Sequence, residues 1–187
     1  KAEITFPNQK KIVLENVKAD QELTLYESNA VNLNTTIAAK SNVIFKDISK
    51  TGILKYTQTE NDFIDFKREP LIPYKCSRKG PYYSKADVNG DKKEDLYIGG
   101  SAGTEGKLMI QNADGFYAEK KQPAFTADKK FEDMNSLFFD ADGDGDMDLY
   151  VVSGGAEFDA GSNLYQDRLY FNDGKGNFTR AANALPA

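Results

Sequence analysis

Histidine is absent from all 187 residues. That one absence removes His-containing catalytic triads, His-ligated zinc and most general acid/base schemes working near neutral pH. Tryptophan is absent too, and cysteine occurs once, as Cys76. A lone cysteine closes no internal disulfide and builds no thiolate metal site, so an inert or buried thiol is expected. Positive charge is in short supply: 24 Lys and Arg face 29 Asp and Glu, for a net charge of −5. Lys120-Lys121 and Lys129-Lys130 are isolated pairs that read as solvated turns, so no nucleic-acid partner is expected. No apolar run is long enough to span a bilayer as a helix. Long helical patterns are also missing, and Ala38-Ala39 and Ala181-Ala182 are the only helix-friendly patches.

The remainder is ordinary globular composition. Apolar residues make up 40%, and 12 Phe with 10 Tyr can supply much of a core. Short strand patterns broken by turn residues point to an all-β fold. Residues 1–33 read as a small antiparallel unit. Glu3–Phe6 alternates, Pro7-Asn8-Gln9 turns, and Lys11–Glu15 and Gln21–Glu27 each have strand character. Residues 34–44 are polar and read as a linker. Residues 45–187 form the second region, where Asn61–Phe66 alternates before Pro70, Pro73 and Pro81 break the pattern. The chain opens at Lys1 without an initiator Met or a leader. It is expected to be an excised piece of a longer protein whose export signal lies elsewhere.

After about residue 84 the second region repeats itself. An acidic loop starts at Asp87 and again at Asp140, about 53 residues on. Each loop runs into an apolar strand, Leu96–Ile98 or Leu149–Val152. Each strand ends at a glycine pair, Gly99-Gly100 or Gly154-Gly155. A further strand and a Gly-containing hairpin ending in Phe116 or Phe178 complete both copies. Four short strands per period of this length indicate propeller blades.

The loops carry the chemistry. Asp140, Asp142, Asp144, Asp146 and Asp148 place a carboxylate at every second position. Such charge density calls for a cation. All-oxygen ligands with Gly at the sharp turns point to calcium, a hard ion that takes six to eight oxygens. Asp140, Asp142, Asp144 and Asp148 occupy positions one, three, five and nine. Asp87, Asn89, Asp91 and Asp95 take those positions in the first copy. Position seven, Asp146 or Lys93, is expected to lend its backbone carbonyl, with the Lys93 side chain turned away. Lys92, Lys93 and Asn89 make the first loop the weaker binder. An EF-hand would need a bidentate Glu at position twelve. Val151 and Ile98 stand there instead, each in an apolar strand pattern.

The loops, with their trailing Leu-Tyr strand and glycine pair, resemble FG-GAP or VCBS repeats, the calcium-binding blades of integrin-α-type propellers and of many bacterial surface proteins. The N-terminal stretch resembles an ASPIC/UnbV domain, through Phe6-Pro7-Asn8, Glu15-Asn16-Val17 and Asp20–Glu27. Phe6 and Gln9 depart from that family's Trp-Pro-Asp-Gly. Together these resemblances imply an exported, extracellular, cell-surface or periplasmic bacterial protein. They also imply a partial β-propeller of about two blades and the start of another. Its open edges would be covered by the remaining propeller blades of a parent protein.

Three functions stay open. The first is a non-catalytic, calcium-braced binding or scaffold module with an unknown protein or glycan ligand. Tyr82, Tyr83, Phe158 and Tyr165 are its candidate recognition aromatics, or equally core packing. The second is an accessory or catalytic part of a polysaccharide-acting enzyme, drawing on Glu60, Asp62, Asp65 and Glu69 or on Glu157 and Asp159. The third is a purely structural linker. The absence of catalytic groups favours the first, with no catalytic residue and Ca2+ as the only cofactor.

Overall fold

In the computed structural model, residues 1–32 and 45–186 are described. The expected linker over 34–44 lies outside them. The chain divides into two compact units, Lys1–Lys46 and Asp47–Ala187.

The first unit is built on one hairpin. Strand β1 (Ala2–Thr5) pairs antiparallel with β2 (Lys11–Leu14), with Ala2 opposite Leu14 and Thr5 opposite Lys11. The Pro7-Asn8-Gln9 turn is closed by the Gln9 amide donating to the Phe6 carbonyl at 2.9 Å and by Lys10 N–H donating to Asn8 Oδ1 at 3.0 Å. The third expected strand, Gln21–Glu27, does not form. The segment is irregular and ends in a 3-10 turn over Glu27–Asn29, and pairing with the hairpin is confined to Lys11 and Val31. Leu23 and Tyr26 remain exposed, and Leu25, on the same face as Leu23, is only half-buried. Alternation produces a strand only where the apolar face finds something to bury against, and here it does not.

The second unit holds two four-stranded antiparallel sheets, each a meander in chain order. The first comprises β3 (Tyr83–Ala86), β4 (Asp95–Ile98), β5 (Lys107–Gln111) and β6 (Tyr117–Lys120). The second comprises β7 (Asp133–Phe139), β8 (Asp148–Ser153), β9 (Arg168–Asn172) and β10 (Phe178–Arg180). The helices are single turns, α1 (Asp65–Arg68) and α2 (Pro123–Ala127), as expected from the lack of helical periodicity. The alternation over Asn61–Phe66 ends in α1 rather than in a strand. The Asp65 carboxylate is fully buried there, accepting from the amides of Cys76 and Ser77 at 2.8 and 3.0 Å and from the Ser77 hydroxyl.

The core lies between the two sheets. Tyr97 and Leu108 face it from the first, and Phe138, Leu149, Val151, Tyr170 and Phe178 from the second, with Val88 at its edge. Alternate residues of β8 show the period of two: Leu149 and Val151 are fully buried, while Tyr150 and Val152 on the other face are partly exposed. Phe125 of α2 sits between the sheets, edge-on to Tyr97 at 5.2 Å and to Tyr170 at 5.1 Å between ring centroids. Pro123 opens α2 because the first turn needs no amide donor. At Gly100, which follows β4, a Cβ would collide with the Thr104 carbonyl, so the chain can double back only on glycine. Among the described residues no helix is long and apolar enough to cross a membrane.

Candidate metal centre

Both acidic loops connect neighbouring antiparallel strands, the first β3 to β4 and the second β7 to β8. In each, position nine is the first residue of the outgoing strand, Asp95 opposite Ala86 and Asp148 opposite Phe139. Both carboxylates are fully buried and bonded alike. Asp148 accepts from Ala141 N–H at 2.9 Å and from Asn172 N–H at 2.8 Å. Asp95 accepts from Val88 N–H at 3.2 Å and from Gln111 N–H at 2.8 Å. Position nine therefore ties the loop to the end of the third strand of its sheet, and the sequence repeat extends to individual hydrogen bonds.

The alternating acids fold the loops back on themselves. Asp140 accepts from Gly143 N–H at 2.7 Å and Gly145 N–H at 3.1 Å. Asp142 accepts from Asp144 N–H at 3.2 Å, and Asp144 from Asp146 N–H at 2.9 Å. Gly145, at φ 94°, adopts a backbone that a side chain would strain. In the first loop Asp87 gathers the amides of Asn89, Gly90, Asp91 and Lys92 at 2.7–3.3 Å. Asn89 accepts from Asp91 N–H at 3.0 Å, and Asp91 from Lys93 N–H at 2.9 Å.

The loops then differ. Asp140, Asp142 and Asp148 each bring one carboxylate oxygen within 4.8 Å of the others, the one such acidic group among the described residues. Oxygens sharing a calcium shell at 2.3–2.6 Å lie at most about 5 Å apart, so these three side chains fit such an ion. Asp144 and Asp146 stay outside the group. The Asp146 carboxylate reaches across to Gly174, in the turn between β9 and β10, where a Cβ would stand 2.5 Å from Asp146 Oδ2. In the first loop Asp87, Asp91 and Asp95 form no comparable cluster. Lys93 does not turn away as expected: its ammonium lies 3.0 Å from Asp91 Oδ2. With lysine at position seven, the chain itself supplies a cation to the loop.

Charge effects follow that split. Hydrogen bonding by the Lys93 ammonium holds the Asp91 carboxyl below the usual carboxylate range. Desolvation and the neighbouring Asp144, Asp148 and Asp140 push Asp142 up, and desolvation with Asp144, Asp148, Asp173 and Asp140 does the same to Asp146. The second loop carries unrelieved negative charge, and the first is partly neutralised from within.

Three of the acids considered for catalysis are tied up within the chain. Asp65 is locked to Cys76 and Ser77, Asp62 pairs with Arg78 at 3.3 Å, and Asp159 pairs with Arg68. Glu157 accepts from Ala156 N–H at 2.8 Å and from the Asn61 side chain at 3.3 Å. Of the aromatics, Phe158 and Tyr165 pack on each other at 5.5 Å, with the Tyr165 hydroxyl donating to the Phe158 carbonyl, while Tyr83 is exposed. Glu132 carries no local sequence signal. It is 2% exposed, accepts from Ala102 N–H at 2.7 Å, and is pushed up to about 8 by burial and by Glu157, Glu60 and Asp133. A Glu within Lys129–Asp133 looks like any solvated acid, because only tertiary packing buries it.

Residues 87–151 match the family model described as an FG-GAP-like repeat. The match opens on position one of the first loop and closes in β8, so it takes in both loops. No curated protein matches the chain. FG-GAP repeats often bind calcium, and the Asp140–Asp142–Asp148 cluster can hold a metal ion. The chain is thus an all-β protein whose antiparallel sheets and 87–151 match fit an FG-GAP repeat protein.

Proposed function

We propose that the chain is a calcium-stabilised, non-catalytic binding or scaffold module made of adjacent β-propeller blades. The observation that carries this reading is the convergence of Asp140, Asp142 and Asp148 in a loop that braces two strands of a four-stranded meander. These three side chains would hold the ion, and the ion would supply charge neutralisation and a rigid strand connection. The blade reading is supported by the way the sheets meet. Their first strands, β3 and β7, run side by side, with the hydroxyls of Ser84 and Ser136 2.9 Å apart. The far face of the second sheet shows exposed Leu137 and Phe139, which suits packing of further blades of a parent protein.

FG-GAP-like repeats are typical of extracellular proteins. That agrees with an exported, cell-surface or periplasmic setting, where calcium is abundant enough to fill modest sites. Non-catalytic action is supported by the absence of histidine and by the pairing of Asp62, Asp65 and Asp159 within the chain. The ligand would be a protein or a glycan held by loops on the rigid sheets.

Thermal unfolding with excess calcium and with a chelator tests the reading. Calcium at about a hundredfold over its dissociation constant adds about 2.7 kcal/mol, or roughly 5–10 °C in Tm for a domain of this size. Equal melting under both conditions, with no bound metal in the purified protein, would rule out a calcium brace.

A further inference from the structure

We propose that the loop over residues 66–76 docks on an anionic lipid surface. Its two ends are fastened together. The buried Asp65 carboxylate at one end accepts from the amides of Cys76 and Ser77 at the other, so the intervening residues form a closed loop of fixed base. Two arginines bind the flanks to the body of the unit. Arg68 donates to the Glu157 carbonyl at 3.0 Å, and Arg78 to the Asn61 carbonyl at 2.6 Å.

What this anchored base presents is unusual for the chain. Leu71 is 95% exposed and Tyr74 56%, with exposed Pro70 and Pro73 beside them. A leucine exposed to that degree has no neighbour to cover it and projects into solvent. Around this apolar tip stand Lys67, Lys75 and Lys79, all exposed and none paired with a carboxylate among the described residues. Lys79 packs its ammonium 4.0 Å from the centre of the Tyr74 ring. Between Phe66 and Lys79, with Arg68 and Arg78 paired to Asp159 and Asp62, three free lysines face one Glu, in a protein whose net charge is −5.

Apolar tip and basic shoulders together select the partner. A soluble polyanion would engage the lysines and leave Leu71 in water. A neutral bilayer would take Leu71 and leave the lysines without counter-charge. An anionic bilayer satisfies both, because apolar side chains enter the acyl boundary while lysine ammoniums stay among the headgroups. The fastened base means that little conformational freedom is lost on docking.

The test is co-sedimentation of the full chain with phosphatidylcholine vesicles, with and without about a third phosphatidylglycerol, at fixed calcium. Binding is expected only with phosphatidylglycerol and is expected to fall as salt is raised. Leu71→Asp and the pair Lys67→Glu with Lys75→Glu should each weaken it at least tenfold, and Lys75→Arg should retain it. All three side chains are exposed, so circular dichroism should show unchanged folding. Any of three results overturns the proposal: no sedimentation with anionic vesicles, equal binding to neutral ones, or wild-type affinity in Leu71→Asp. Retention on immobilised heparin without vesicle binding also overturns it, in favour of a soluble acidic partner.

Discussion

Arg168 and Asp133 form an ion pair almost wholly shielded from water, linking the start of β9 to the start of β7. The Asp133 carboxylate also accepts from the Tyr97 hydroxyl and the Gly100 amide, both at 2.7 Å, so it joins the two sheets. The guanidinium donates to the Tyr170 hydroxyl at 3.2 Å and stacks 4.3 Å from the centre of the Phe131 ring. Burial works against the charge on Arg168, but Asp133, Tyr170 and Tyr97 outweigh it and raise the guanidinium's pKa. Removing one partner strands the other. Asp133→Ala should destabilise by about 3–5 kcal/mol, whereas Asp133→Leu with Arg168→Met should recover much of that loss. Urea denaturation of Asp133→Leu, Arg168→Met and their combination checks it, and additive losses would mean that the pair is not coupled.

Asp142 and Asp148 belong to the same carboxylate cluster but do different structural work. Asp142 accepts one amide within its own loop, while the buried Asp148 also ties that loop to Asn172 at the end of β9. Asp142→Ala should therefore abolish the calcium-dependent rise in Tm and leave the melt in chelator within about 0.5 kcal/mol of wild type. Asp148→Ala should lower stability in chelator as well, by about 2–4 kcal/mol, because the buried Asn172 amide and the half-buried Ala141 amide lose their acceptor. Asp144→Ala, outside the cluster, should retain most of the calcium response.

These roles mark how far the sequence could be read. The acidic spacing from Asp140 to Asp148 and its copy from Asp87 were visible because ligand loops depend on local order. The strand, glycine-pair, strand and hairpin succession after each loop was visible for the same reason. Gln21–Glu27 has strand-like residues but finds no layer to pack on. The separation of Asp142 from Asp144, the Lys93–Asp91 contact and the burial of Glu132 depend on side-chain direction and on segments far apart in the chain. No local pattern encodes them.

Lys93 offers a way to convert one loop into the other. It occupies the place of Asp146, and its ammonium neutralises Asp91 from inside the loop. Lys93→Asp removes that internal cation and restores the acidic pattern of the second loop. Calcium affinity at the first site should rise by roughly tenfold or more, read by titration calorimetry in an Asp142→Ala background that silences the other site. Unchanged heats would show that Asn89 and Lys92, rather than Lys93, limit the first loop.

Glu132 sets a pH dependence of its own. Its carboxyl is raised from an ordinary value of 4.5 to about 8, first by burial and then by Glu157, Glu60 and Asp133. The folded protein therefore holds a proton there that the unfolded chain releases at lower pH. Where the native state binds more protons, stability falls as pH rises. The contribution of Glu132 is present in full below about pH 4.5, declines across the interval, and is lost once pH passes about 8. Glu132→Gln keeps an acceptor for the Ala102 amide but cannot ionise. The difference in unfolding free energy between Glu132→Gln and wild type should be small near pH 4.5 and grow in the variant's favour up to about pH 8. Because other carboxyls titrate in both proteins, that difference, measured by urea unfolding across the interval, isolates this one group. A flat difference would mean that Glu132 is ionised in the folded state at neutral pH, with a cation or water beside it that relieves its burial.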